Sequence, residues 1–179
     1  MRQIDTVSRS RPIAGRLAHG AIAGICGTLA MTTAMRLLAR ELAPGERYPL
    51  PPREIIERMA PRSARAAAPE PTREQATMLA HFGYGAVTGA LLAALSNRPS
   101  ALGGAAYGVA VWAGSYFGWI PAAAILAPAN RHPGRRNALM VAAHVVWGVV
   151  LAGGLREIER AESEVFAAGD IRDRPRPTD

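Results

Sequence analysis

Four long stretches without any acidic or basic side chain constrain this fold more than any other feature of the sequence. No Asp, Glu, Lys or Arg occurs in the segments 17–35, 75–97, 99–130 and 137–155. The hydrocarbon core of a bilayer is about 30 Å thick, and about 20 residues of α-helix cross it. Each stretch is long enough to do so. We therefore predict an all-α fold, an integral membrane bundle of four transmembrane helices.

A soluble, alanine-rich helical domain is the alternative that the average composition suggests. Charged residues are 20% of the chain, and the mean hydropathy is +0.05. A helix at the surface of a soluble protein needs a polar face, however. A chain of 179 residues has too little interior to bury four uncharged helices on every side. The segregation of charge favours a membrane protein, with the lipid bilayer as its partner.

Polar segments precede, separate and follow the predicted spans. The membrane domain covers residues 17–157, with spans at about 17–38, 74–96, 101–127 and 138–157. A polar, basic lead (1–16) precedes it, a linker rich in proline and arginine (41–73) joins the first two spans, and a charged helix end with a disordered tail (158–179) follows. Within the linker, residues 52–60 can form a short interfacial helix or a proline-stiffened loop.

Capping signals predict where several helices begin. Thr72 and Gln75 fit a capping box at the start of the second span, and Ser100 and Asn137 are suitable caps for the third and fourth. Pro121 predicts a kink or a break inside the third span.

The arginines point to lipid head groups but not to a membrane orientation. The net charge is +7, and the arginines lie in the polar segments among glutamates, where anionic lipid explains them more simply than nucleic acid. With the N-terminus inside, ten arginines fall on the inner side and eleven on the outer side. The positive-inside rule needs an asymmetry, so the side of the termini stays open.

Pairs of glycines four residues apart recur inside the spans. The motif GxxxG occurs four times, as Gly20/Gly24, Gly85/Gly89, Gly104/Gly108 and Gly114/Gly118. In lipid, helices associate through close backbone contact, which small side chains permit. The glycines therefore predict tight helix packing, either within the chain or with another copy or another membrane protein.

Three histidines each head a line of small residues along one helix face. His81 lies six residues after Gln75 and His144 seven after Asn137. If spans two and four run in the same direction, their depths differ by only about 1.5 Å. His19 enters from the opposite face. His81 and His144 are either hydrogen-bonded structural groups, a pair that senses pH or binds a ligand, or two axial ligands of a haem.

Catalytic chemistry has few candidates in this sequence. No carboxylate lies in a span, and neither HExxH nor a phosphate-binding loop occurs. Ser115 lacks the glycine context of an intramembrane serine protease, and the lone Cys26 rules out a cluster of thiol ligands. We predict no enzymatic activity, no catalytic residue, no metal site and no cofactor, with haem as the alternative.

Several segments together resemble the YagU-like family of bacterial inner-membrane proteins. The resemblance rests on YPLPPRE, HFGYGAVTGALL, GVAVWAGSYFGWIP and HPGRRNALMVAAHVVWG, within residues 16–157. It implies an inner-membrane location and a loose link to acid tolerance, and it carries over no catalytic residue.

Three functions follow as hypotheses. The first is a non-enzymatic, multi-pass inner-membrane protein that acts through helix packing or association, linked to acid or envelope stress. The alternative is a haem- or metal-binding membrane protein that uses His81 and His144. The third is a small channel or transporter.

Overall fold

The structure, a computed structural model, describes residues 12–96 and 98–167. All regular secondary structure in these residues is helical, which confirms the predicted all-α class. The outer parts of the predicted lead and tail, residues 1–11 and 168–179, lie outside the described residues.

The described chain forms seven α-helices and one π-helical segment. In chain order they are α1 (Ile13–Leu38), α2 (Pro51–Met59), α3 (Arg62–Ala67), α4 (Glu70–Leu95), α5 (Ala101–Ala113), the π segment (Gly114–Trp119), α6 (Ile120–Ala122) and α7 (Gly134–Glu164). Three helices are long and apolar enough to cross a membrane: α1 with the turn that follows it, α4 and α7.

The long helices pack as two antiparallel pairs, and one helix of each pair contacts the other pair. Helix α1 packs against α4, α5 packs against α7, and α1 packs against α7. Helices α4 and α5, by contrast, have few contacts with each other. The close helix contacts therefore follow the order α4, α1, α7, α5.

Glycines bring the backbones of α1 and α4 into contact. A Cβ atom built on Gly20 would lie 2.6 Å from the carbonyl oxygen of Gly89. One built on Gly24 would lie 3.0 Å from the carbonyl carbon of Gly85. These distances are shorter than a real Cβ contact, so only glycine fits at the crossing of the two helices.

The second pair, α5 and α7, crosses in the same way. A Cβ atom on Gly104 would lie 2.6 Å from the Cβ atom of Ala152, and one on Gly108 would lie 2.9 Å from the carbonyl carbon of His144. Between the pairs, the Trp147 indole fills the space beside Gly27, at 3.0 Å from a Cβ atom built there. Small residues thus set the spacing at all three helix contacts.

The third apolar stretch is helical but broken. Helix α5 widens into the π segment, where Gly118 has φ −107° and ψ −109°, and the short helix α6 follows. The predicted break near Pro121 is present, but it begins at the π segment before the proline. Gly114 and Gly118 make no close helix contact within the described chain, so their predicted packing against another copy or another membrane protein stays a prediction. A Cβ atom on either would meet no described atom within 4 Å.

Two of the three predicted caps differ from the structure. Ser100 does cap α5, since its side chain accepts a hydrogen bond from the Gly103 amide at 3.0 Å. Helix α4, however, begins at Glu70, so Thr72 lies inside its first turn. Helix α7 begins at Gly134, and the Asn137 amide instead donates to the Ala129 carbonyl at 2.6 Å. In both helices a proline precedes the first residue, and its restricted φ starts the helix earlier.

Candidate binding cavity

A cavity of about 250 Å³ lies at one end of the bundle, beneath α2. Side chains from α1, α4, α5, the π segment and α7 form its walls. Of the described residues that line it, none is Asp, Glu, Lys or Arg, and most of the lining atoms are apolar. The cavity is therefore suited to uncharged molecules.

His81 and His144 both line this cavity. The carbonyl oxygen of Met140 lies 2.7 Å from Nδ1 of His144. Because a carbonyl only accepts, Nδ1 carries the proton. On the other wall, Nε2 of His81 is buried and has no hydrogen-bond partner in the described part of the chain. His19 lies elsewhere, with its Nε2 atom 3.1 Å from Oε1 of Glu162.

Hydroxyl groups join α4 to the third apolar stretch beside the cavity. The Ser115 hydroxyl donates to the Val111 carbonyl at 2.8 Å, so its oxygen is left to accept from the Tyr84 hydroxyl at 3.0 Å. The Tyr107 hydroxyl donates to the Thr88 carbonyl at 2.7 Å. Because its proton is directed at its own helix, Ser115 is not arranged as a nucleophile.

Tyr116 is a second lining residue whose polar atom lacks a protein partner. Its side chain is 4% exposed, and its hydroxyl has no hydrogen-bond partner among the described residues. The ring packs against Trp112 and His132, with centroid distances of 6.0 and 6.1 Å. A buried hydroxyl without a partner is costly, so a ligand or a water molecule is expected to meet it.

Helix α2 covers the cavity with its apolar side. The helix spans Pro51–Met59, and Ile55, Ile56 and Met59 all line the cavity. The sequence leaves open a short helix on the membrane surface or a proline-stiffened loop, and the structure has the helix. Its apolar side is turned towards the bundle, because the helical walls below offer an apolar surface.

An ion-pair cluster holds α2 against the start of α4. Arg53 and Arg73 each contact both Glu57 and Glu70, at N–O distances of 2.7 to 3.2 Å. Loss of solvent contact acts to raise the pKa of the Glu57 carboxyl. The hydrogen bond from Arg73, together with the positive charges of Arg73, Arg53 and Arg65, outweighs this effect and holds the pKa below its ordinary value of 4.5. Glu57 therefore stays ionised in mildly acidic solution.

Arg136 fastens the linker to the first turn of α7. Its guanidinium donates to the carbonyls of Glu46, Tyr48 and Pro49 at 2.9 to 3.0 Å, and it lies 3.5 Å from the centroid of the Tyr48 ring. The residue is 3% exposed. Nothing in the sequence distinguishes it from its neighbour Arg135, which is exposed. The contacts of Arg136 depend on where the folded linker places its carbonyl groups.

The donor set around the cavity is poor in metal ligands. Among the described residues, no three side chains of His, Cys, Asp or Glu lie together as a metal site would require. The cavity itself offers two imidazoles and no carboxylate. What the arrangement can do is bind an uncharged molecule and hydrogen-bond it.

Comparisons with protein-family models, with curated proteins and with solved structures found no match to this chain.

Proposed function

We propose that this chain is a non-enzymatic, four-span protein of the bacterial inner membrane that binds a neutral, lipid-soluble molecule between its helices. The resemblance to the YagU-like family supports the inner-membrane location and extends the proposal to membership of that family. The linker that contains α2 and α3 then joins the first two spans and covers the binding cavity.

The antiparallel packing of α5 against α7 supports a fourth span. Gly104 faces Gly148 and Gly108 faces His144, so the two helices run in opposite directions. Residues 101–122 are helical apart from the break at Gly118, and a straight α-helix of that many residues would extend about 33 Å. That length matches the hydrocarbon core of a bilayer, about 30 Å.

The observation that carries the binding function is the uncharged cavity beneath α2. In lipid, a bundle closed by glycine contacts can pack without internal space. This bundle instead separates at one end, where His81, Tyr84 and Tyr116 line the space. Ligand sites in proteins are typically apolar concavities with a few placed polar groups.

The size of the cavity favours a ligand smaller than haem. Pockets for drug-sized ligands usually measure about 300–1,000 Å³, and this cavity measures about 250 Å³. The two histidines are therefore better suited to hydrogen-bonding a small ring than to holding a porphyrin. A channel is less favoured, because the cavity lies at one end of the bundle under a helix.

Thermal unfolding in detergent tests the binding function with naphthalene as a neutral apolar probe. A ligand that binds only the folded state stabilises it by about 2.7 kcal/mol at a concentration of 100 times Kd. We expect naphthalene to raise the unfolding midpoint of the natural protein in a saturable manner. Val111→Phe, which fills the cavity, should remove the effect.

Val87→Phe is the matched control, because Val87 is 69% exposed on α4 and does not line the cavity. It should respond to naphthalene as the natural protein does. If the natural protein shows no saturable shift, or if Val111→Phe responds equally, the proposed binding function is wrong.

A further inference from the structure

We propose that the cavity binds the ring of a membrane-soluble quinone or quinol, with His81 and Tyr116 as its hydrogen-bonding residues. This inference rests on the proposed function and specifies its ligand. It concerns binding alone and assigns no electron transfer to the protein.

Two polar atoms of the cavity lining have no hydrogen-bond partner among the described residues, and they define what the ligand must offer. Nε2 of His81, on α4, and the hydroxyl of Tyr116, on the π segment, are both buried on residues that line the cavity. An imidazole nitrogen and a phenol oxygen can each donate or accept a hydrogen bond, depending on tautomer and rotation. A ligand with carbonyl oxygens or with hydroxyl groups satisfies both residues. Quinones and quinols carry these two groups respectively.

The walls of the cavity favour a flat, uncharged ring. Tyr84, Trp119 and Trp147 contribute aromatic side chains to the lining. An apolar cavity of about 150 Å³ holds benzene, so the 250 Å³ here has room for a substituted ring. A carboxylate or phosphate ligand would need a cationic partner, and no arginine in the described chain lines the cavity.

The mouth of the cavity provides a path for a hydrocarbon tail. Met59, Tyr84 and Trp119 line the cavity and are also 58%, 41% and 41% exposed. They belong to α2, α4 and the π segment, so the cavity opens to the outside where these three elements meet. A tail attached to the bound ring can leave there for the acyl chains of the bilayer. Lipid-soluble quinones carry such a tail.

The test compares three probes with the same ten-carbon tail on the detergent-purified full chain. They are a dimethoxy-methyl-benzoquinone with a decyl tail, decylbenzene and decanoate. Apparent Kd is obtained from the concentration dependence of the unfolding midpoint. We expect the quinone to bind about tenfold more tightly than decylbenzene, since it adds hydrogen bonds. Decanoate should bind more weakly than either.

Variants locate the hydrogen bonds. Tyr116→Phe removes only the hydroxyl, and His81→Leu removes the imidazole. Each should weaken quinone binding by roughly threefold to tenfold and leave decylbenzene binding unchanged. Tyr48→Phe is the matched control, because that hydroxyl lies outside the cavity, and it should leave both affinities unchanged.

The outcomes separate this inference from the proposed function. Equal affinities for quinone and decylbenzene, or equal weakening of both by Tyr116→Phe, would overturn the quinone assignment and leave a general apolar site. Tighter binding of decanoate would overturn the assignment to neutral ligands. If no probe binds, both proposals fall. Should a variant fail to fold, the probe comparison on the natural protein still decides.

Discussion

Arg136 shows how a single side chain can fix the position of a long connecting segment. Its guanidinium satisfies three linker carbonyls, stacks on the Tyr48 ring and lies 3.8 Å from Glu54. A planar fork of five N–H donors suits this arrangement, and a lysine ammonium has only three donors on one atom. The linker that carries α2 is therefore fastened at one end by α7 and at the other by α4.

Replacement of Arg136 should destabilise the protein without altering the helix pairs. We expect Arg136→Gln to lower the free energy of unfolding by about 3 kcal/mol, since several bonds from a buried charged donor are lost. Arg136→Lys should recover only part of this loss. Denaturation in detergent measures both changes. Arg135→Gln is the control, and a loss of similar size there would contradict the role given to Arg136.

The histidines and Arg136 also show what the sequence can and cannot predict at this scale. Helical rise places His81 and His144 at a similar depth, whether counted from the predicted starts or from the observed ones at Glu70 and Gly134, and both line the same cavity. That inference uses only spacing along single helices. Arg136 depends instead on the fold of a linker 87 to 90 residues away in sequence, and no spacing rule predicts such a contact.

At the scale of helices, the glycine contacts are specific to position. Gly20 lies at the crossing of α1 and α4, where a Cβ atom would be 2.7 Å from the Cα atom of Ala90. Gly83, on α4, would place a Cβ atom in open space among the described residues. Both are helical glycines, so their intrinsic helix propensity is the same.

We therefore expect Gly20→Ala and Gly83→Ala to have opposite effects. Gly20→Ala should destabilise by about 1–3 kcal/mol, because the helices must move apart. Gly83→Ala should be neutral or should stabilise by up to about 1 kcal/mol, through helix propensity. Unfolding curves in detergent compare them. If both variants lose the same stability, the α1–α4 contact is not as close as described.

The ion-pair cluster on α2 makes its attachment sensitive to acid. The folded pKa of Glu57 is lowered, so its contribution to stability is present above its ordinary pKa of 4.5. It is lost as the pH falls through the lowered folded value. Mild acid should leave α2 in place, and stronger acid should release it. Release of α2 would open the cavity that it covers.

Spin-label mobility at position 59 follows this release. In a Cys26→Ala background, a nitroxide on Met59→Cys should become mobile only below about pH 4.5. Adding Glu57→Gln should make the label mobile at neutral pH and largely independent of pH. Glu164→Gln, far along α7, should behave as the background does. A label that is equally mobile at pH 7 and pH 3 would show that α2 is not held by this cluster.

Element boundaries were less predictable than element identity. The apolar stretches predict α1, α4 and α7, because absence of charge over 19 or more consecutive residues needs no tertiary information. The π segment and the direction of the α2 apolar side depend on packing partners. A short amphipathic helix has the same sequence whether it faces lipid or a bundle, so its side could not be assigned.

For the whole molecule, the number of spans determines which segments share a side of the membrane. With four spans, the α2–α3 linker and the turn at 123–133 lie on one side, and Arg98 and the end of α7 lie on the other. With three spans, residues 101–122 do not cross. The turn at 123–133 then lies on the same side as Arg98.

Reporter fusions distinguish the two topologies. A phosphatase that is active only outside the cytoplasm can be fused after Arg65, Arg98, Asn130 or Phe166. We expect the fusions after Arg65 and Asn130 to agree with each other and to differ from the other two. Agreement between the fusions after Asn130 and Arg98 would support three spans. The same experiment establishes which side faces the cytoplasm.

The order of close contacts, α4, α1, α7, α5, carries a consequence for how such a sequence can change over evolutionary time. The backbones of α1 and α7 each pack closely against two long neighbours, whereas those of α4 and α5 each pack closely against one. A substitution on an inner helix must be compatible with two surfaces at once. Natural variation should therefore accumulate more slowly on α1 and α7 than on the outer pair.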